Sequence, residues 1–177
     1  MARAGFSGCY SQSGERAVRS VWKFAMSPTS FSVRAVAPAD VSSWRWLRHQ
    51  LWSHASADDH LRETERLLAE PDRYTTVIAV SSRGDALGFA EAAIRHDYVN
   101  GCSTSPVLFL EGIYVAPGMR RQGIAKALCA SIQQWGTLRG CSEFASDTSL
   151  DNVDSQALHR ALGFEETERV VFFRKRF

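Results

Sequence analysis

No apolar stretch of this chain approaches the roughly 20 residues that a helix needs to cross a bilayer, which excludes a helical membrane span. Paired cysteines are missing as well. Cys9, Cys102, Cys129 and Cys141 stand far apart, without the short paired spacings of a zinc site, so no metal is expected. The same spread offers no disulfide framework and reads as buried or half-buried thiols in a reducing compartment. Nor does one sign of charge dominate. Lys and Arg total 21 against 19 for Asp and Glu, and the arginines are scattered rather than massed, which argues against a nucleic-acid binder. Residues 1–26 lack an uninterrupted hydrophobic signal core. They read as an unstructured leader, or as translation upstream of a start at Met26, with residues 27–177 as the folded domain. The location these features predict is cytoplasmic.

What is present is enough for one core: 177 residues, 45% of them hydrophobic, with no long linker and no repeat. Residues 31–36 alternate as a strand that Pro38 stops. Val41, Trp44, Leu47 and Leu51 then recur at helical spacing behind Asp40, a candidate cap. Residues 58–68 predict a second helix. Residues 75–80 and 87–94 predict antiparallel strands around the turn 82–85, and residues 107–115 form the most hydrophobic strand, interrupted by Gly112. From Gly123 the period becomes helical, with Ile124, Leu128, Ile132 and Trp135 on one face. A short strand at 141–145, a helix at 154–162 closed by Gly163, and a last strand at 168–174 complete the prediction. The order β-α-α-β-β-β-α-β-α-β implies an α/β (α+β) domain, a mixed sheet flanked by helices.

The most informative unit is strand, loop, helix. Between the hydrophobic strand and the amphipathic helix lies Arg120-Arg121-Gln122-Gly123-Ile124-Ala125. Glycine lets backbone approach a ligand closely, and free N–H groups at a helix start favour an anion such as a pyrophosphate. Arg121 and Lys126 add positive charge. A nucleotide P-loop fails here, because Ile124 and Ala125 stand where that motif needs lysine and a hydroxyl residue.

The loop resembles the Arg/Gln-x-x-Gly-x-Gly/Ala signature of the large acetyltransferase superfamily that binds coenzyme A. Asn152 and the run Ala157-Leu158-His159-Arg160-Ala161-Leu162-Gly163-Phe164 are similar to its second block. More specific segments lie at His96-Asp97-Tyr98-Val99-Asn100-Gly101-Cys102, Phe109-Leu110-Glu111-Gly112-Ile113, Ala145-Ser146-Asp147-Thr148-Ser149 and residues 163–170. Together they resemble the chromosomally encoded, dimeric aminoglycoside 6'-N-acetyltransferases over residues 32–176. The resemblance implies the acyl-CoA N-acyltransferase fold: a mostly antiparallel, twisted sheet whose two central strands, here 108–115 and 141–147, splay apart. It also implies acetyl-CoA as cosubstrate, an aminoglycoside as acceptor, a homodimer and the resistance such acetylation confers. Acceptor roles carry over to Trp52, Tyr98, Glu111, Asp147 and Glu168. Coenzyme contacts carry over to Ile113, Tyr114, Val115, Arg121, Gln122, Gly123, Ile124, Ala125, Lys126 and Asn152.

The residue chemistry agrees in kind. A polycationic acceptor calls for carboxylates, and Asp147 is the candidate base for the ammonium proton. A carboxylate is a weak base at neutral pH, so burial or neighbouring carboxylates would have to strengthen it. A bulge at Gly112 would free an N–H for the developing oxyanion. Each residue also has a structural alternative: Asp147 as a turn cap, Glu168 as a solvated strand end, Trp52 as core, Gly112 as packing. His159 stands where many superfamily members carry a tyrosine that protonates the leaving thiolate. Two other functions stay open at this level: transfer to polyamines or peptide amines, and a non-catalytic acyl-CoA-binding module.

Overall fold

The computed structural model describes residues 30–177; the leader assigned to residues 1–26 lies outside them. The elements are β1 (Phe31–Ala35), α1 (Val41–Leu51), α2 (Ala57–Ala69), β2 (Tyr74–Ser81), β3 (Ala86–Arg95), β4 (Val107–Val115), α3 (Ile124–Thr137), β5 (Phe144–Ser146) and α4 (Val153–Ala161). The strands lie in the order β1-β2-β3-β4-β5, antiparallel throughout except for the parallel pair β4 and β5. The mixed, mostly antiparallel sheet of the sequence reading is therefore present.

Alternation along the strands sorts their side chains to two faces. Val77, Ala79, Ala92 and Leu108 pack with Ile124, Leu128 and Ile132 of α3. Ile78, Val80, Phe89 and Ala93 pack on the other face with Trp44 and Leu47 of α1 and Leu67 of α2. Trp44, Leu47, Ile78, Phe89, Leu128 and Ile132 are all fully buried. Each contributes roughly 1.5–3 kcal/mol by leaving water.

Local chemistry fixes the helix starts. Ser56 Oγ accepts from the Asp59 N–H (3.1 Å) while the Asp59 carboxylate accepts from the Ser56 N–H (3.0 Å), a reciprocal box that opens α2. Asp40 precedes α1 but does not cap it through its side chain. Its carboxylate instead accepts from the Ala37 N–H (2.8 Å) and from Arg34 (2.9 Å), closing the turn before the helix.

Two expectations need correction. The short strand is Phe144–Ser146, later than 141–145, because pairing with β4 begins only at Phe144 opposite Leu108. No strand forms at 168–174. Val171, Phe172 and Phe173 are exposed there: a strand needs a neighbouring edge for its N–H and C=O groups, and among the described residues this segment pairs with none.

Candidate active site

The sheet opens at a defined point. Parallel pairing of β4 with β5 runs from Leu108–Phe144 to Leu110–Ser146 and stops. Beyond it, residues 112–115 of β4 still pair with β3 on one side, while among the described residues no strand lies beside their other edge. That edge runs along the stretch carrying Ile113, Tyr114 and Val115, where Val115 O accepts from Arg120 Nε at 3.2 Å. Glu111 and Asp147, next along the two strands, flank the mouth of the opening.

A bulge sits at the same point. On β3, Glu91 pairs with Gly112 and Ala92 with Leu110, so Glu111 is the extra residue. The bulge thus lies one residue before the expected Gly112. An extra residue resets the alternation, turning both Glu111 and Gly112 toward the α1/α2 face. The role of Gly112 is spatial: a Cβ there would lie 2.5 Å from the ring carbons of Trp52.

A cleft of about 710 Å³ lies on that face, bounded by α1, α2 and the ends of β2, β3 and β4. Trp52 and Glu111 line it, together with Asp97, Arg95, His60 and Glu91. Beneath Trp52 sits a buried ion pair that the sequence reading missed. Arg48 and Glu91, with side chains 7% and 4% exposed, form it on facing elements. Trp44 Nε1 donates to the second Glu91 oxygen at 2.6 Å, and the Arg48 guanidinium stacks 4.7 Å from the centre of the Trp52 ring. Burial pushes the Glu91 carboxyl up, against the pull of Arg48 and Trp44. The signals were a lone Glu between Ala90 and Ala92 in an apolar strand, and an Arg one helical turn after Trp44.

Five arginines and five carboxylates line the cleft, so this chain alone presents a nearly neutral surface to a cation. The expected carboxylates divide accordingly. Glu111 is in the cleft, Asp147 is exposed at the mouth, and Glu168 lies on the exposed terminal segment away from it. Tyr98 is 76% exposed in the loop after β3 and does not line the cleft. Thr167 packs on Gly101 of that same loop, where an added Cβ would run into its hydroxyl oxygen. Glu143 fastens the loop from the other end, accepting from the Ser103 and Thr104 N–H groups at 3.0 and 2.6 Å. Those bonds hold the Glu143 carboxyl below its ordinary value, the Thr104 hydroxyl contributing most.

The loop before α3 has the geometry of an anion cradle. Arg121 and Gly123 both adopt the left-handed conformation, with φ of 63° and 82°. Ala127 N–H is bonded to Gly123 O, which leaves the N–H groups of Ile124, Ala125 and Lys126 free at the helix start. Successive amides turned to one side, at the positive end of a helix, suit a pyrophosphate. Arg121 and Lys126 are exposed beside them. Asn152 caps α4, its Oδ1 accepting from the Ser155 N–H at 3.0 Å.

His159 is held at both ring nitrogens. Nδ1 donates to Ser155 O (2.7 Å), and Nε2 lies 2.9 Å from Ser146 Oγ, whose hydroxyl reaches Leu110 O at 3.1 Å. This links α4 to the last paired position of β4 and β5. Cys102, Cys129 and Cys141 are free thiols, and burial raises all three, Cys129 to about 11. A thiol so raised is a poor nucleophile near neutral pH.

Comparison with known proteins gives this geometry its context. A family model described as "Acetyltransferase (GNAT) family" matches residues 39–164. Aminoglycoside N(6')-acetyltransferase type 1 of Salmonella enteritidis is 54% identical over 144 residues, covering 81% of this chain and 98% of that protein. The protein of the same name from Serratia marcescens is 53% identical over 136 residues, 77% of this chain and 92% of its own. Among solved structures, AAC(6')-Iy in complex with the bisubstrate analog CoA-S-monomethyl-acetylneamine superposes with a TM-score of 0.80 at 52% identity. It covers 84% of this chain and all of that one.

Proposed function

The chain belongs to the GNAT acetyltransferase family, and from that premise we propose that it is an acetyl-CoA-dependent aminoglycoside 6'-N-acetyltransferase, a resistance enzyme. The observation that carries the proposal is the placement of Glu111 and Asp147 on either side of the opening between β4 and β5. That opening is where a coenzyme arm and an acceptor amine can meet, and a polycationic sugar needs carboxylates there.

The residues divide the work. The amides of Gln122, Gly123, Ile124 and Ala125 hold the pyrophosphate, with Arg121 and Lys126 adding charge. The free edge of β4 at Ile113, Tyr114 and Val115 aligns the pantetheine arm by strand-like hydrogen bonds, and Asn152 contributes from the start of α4. Acetyl-CoA supplies the acetyl thioester. Trp52 and Glu111 hold the acceptor by ring contact and charge, with Tyr98 and Glu168 as further acceptor contacts. Asp147 takes the ammonium proton, directly or through one water, freeing the amine for direct attack; exposed in the free chain, it gains the burial this role needs when acceptor and coenzyme close over it. His159 is engaged at both nitrogens, so we assign protonation of the departing thiolate to solvent. The raised thiols support a ternary complex over a covalent acetyl-enzyme.

The proposal extends to a homodimer. Val170, Val171, Phe172 and Phe173 are 43%, 72%, 88% and 93% exposed, an apolar run that a second copy would cover. Glu168 at the head of that run would then supply the partner's near-neutral cleft with the negative charge it lacks. Free thiols fit a cytoplasmic location.

The test is a free-thiol assay with acetyl-CoA and kanamycin, tobramycin, spermidine or a basic peptide. Aminoglycoside turnover is expected, with product NMR locating the acetyl group on the 6' amine. Turnover of spermidine or peptide alone would defeat the proposal. Asp147→Asn is expected to lower kcat at least roughly tenfold, the low end of acid–base contributions being larger still, with coenzyme affinity retained. Unchanged turnover across the pH range would remove Asp147 as the base.

A further inference from the structure

We propose that Arg95 is a resident counter-cation of the acceptor site, which occupies Glu111 until an acceptor ammonium displaces it and so sets the KM for cationic acceptors. The inference rests on the reading above that Glu111 binds an acceptor ammonium.

Arg95 ends β3, and its Nη2 donates to Glu111 Oε1 at 2.9 Å across the strand pair. Both side chains are about one-third exposed, at 34% each. Solvent, and therefore a solute ammonium, can reach this pair. The buried Arg48–Glu91 pair is closed to both. The pairs Arg62–Asp59 and Arg66–Glu63 join neighbours on α2 rather than residues at the mouth of the opening.

Arg95 also has somewhere to stay once displaced. Its guanidinium carbon lies 3.4 Å from the centre of the Phe109 ring, and Phe109 is 6% exposed, a firm platform for a cation. Asp97, two residues on, lines the same cleft. An arriving ammonium carries the same charge as the guanidinium, so binding exchanges one ion pair for another. The affinity that remains is what the acceptor gains over Arg95.

An interior or purely structural arginine would lower activity when removed. A competitor does the opposite. With kanamycin as the acceptor, Arg95→Gln is expected to reduce KM roughly two- to fivefold, the range for a partly exposed ion pair, while kcat holds. Arg95→Met, which keeps an apolar stem on Phe109, is the second variant and should behave alike, while Arg95→Lys should restore a KM near the parent's. In a Glu111→Gln background the Arg95→Gln effect should vanish. An unchanged or higher KM in the folded Gln or Met variant overturns the inference, as does the same shift without Glu111, or loss of the fold in both variants. Absence of kanamycin turnover in the parent chain overturns instead the reading on which it rests, and the inference with it.

Discussion

Replacing Arg48 by alanine should be among the most damaging single changes to this fold that leave the loop before α3 untouched. The substitution strands the Glu91 carboxylate between β3 and α1, where Glu91 is 3% exposed and Trp44 Nε1 is its other donor. Breaking a buried pair by removing one partner typically destabilises by about 3–5 kcal/mol. That is a large part of the roughly 5–15 kcal/mol that hold a domain together. For a chain of this size the melting point should fall by roughly 6–20 °C. The measurement is urea unfolding, read as a change in midpoint at constant slope. Burial already raises the Glu91 carboxyl, and loss of Arg48 removes the main pull in the other direction. A carboxyl raised in the folded state binds more protons there than when unfolded, so the contribution is present at low pH and lost as pH rises. The deficit of Arg48→Ala should accordingly shrink on acidification toward the ordinary carboxylate value of 4.5. The pair Arg48→Met with Glu91→Leu should recover most of the loss, leaving about 1–3 kcal/mol for the Trp44 N–H without its acceptor. A single-variant loss below about 1 kcal/mol, or a double variant no better than the single, would refute the reasoning.

Other outcomes follow from the same geometry. Gly112→Ala places a Cβ 2.5 Å from the Trp52 ring, and the resulting overpacking should destabilise by about 1–3 kcal/mol and raise the acceptor KM; a variant with wild-type stability and KM would contradict the placement of Trp52. Gly123→Ala meets no atom within 4 Å, so its effect, about 1–2 kcal/mol, comes from the left-handed backbone alone. Calorimetry with coenzyme A should show weaker binding, and an unchanged Kd would count against the cradle. The lowered Glu143 carboxyl should hold the loop at residues 103–104 above the ordinary value of 4.5 and release it as pH falls through its folded value below that. The protection factors of the Ser103 and Thr104 amides, taken against intrinsic exchange at each pH, should then fall in acid for the parent and be lower at neutral pH in Glu143→Gln; pH-independent protection would dismiss the staple.

By itself the sequence determined what depends on local pattern. Period and turn chemistry placed the helices and internal strands, because alternation and helical spacing are written in consecutive residues. The loop proposed to hold the coenzyme was legible because Gly123 and the helix that follows form one local unit. Tertiary structure decided whatever needs two distant segments at once. Glu111 rather than Gly112 carries the bulge because register is fixed by β3, and a charge near Ala90 and Ala92 is tolerated only because Arg48 arrives from α1. The apolar run near the C-terminus has β-forming side chains but pairs with none of the sheet's open edges among the described residues, so β-forming side chains alone did not make it a strand. Arg95 meets Glu111 for a related reason: two strands that are antiparallel and bulged bring together residues 16 positions apart, which no spacing in the sequence announces.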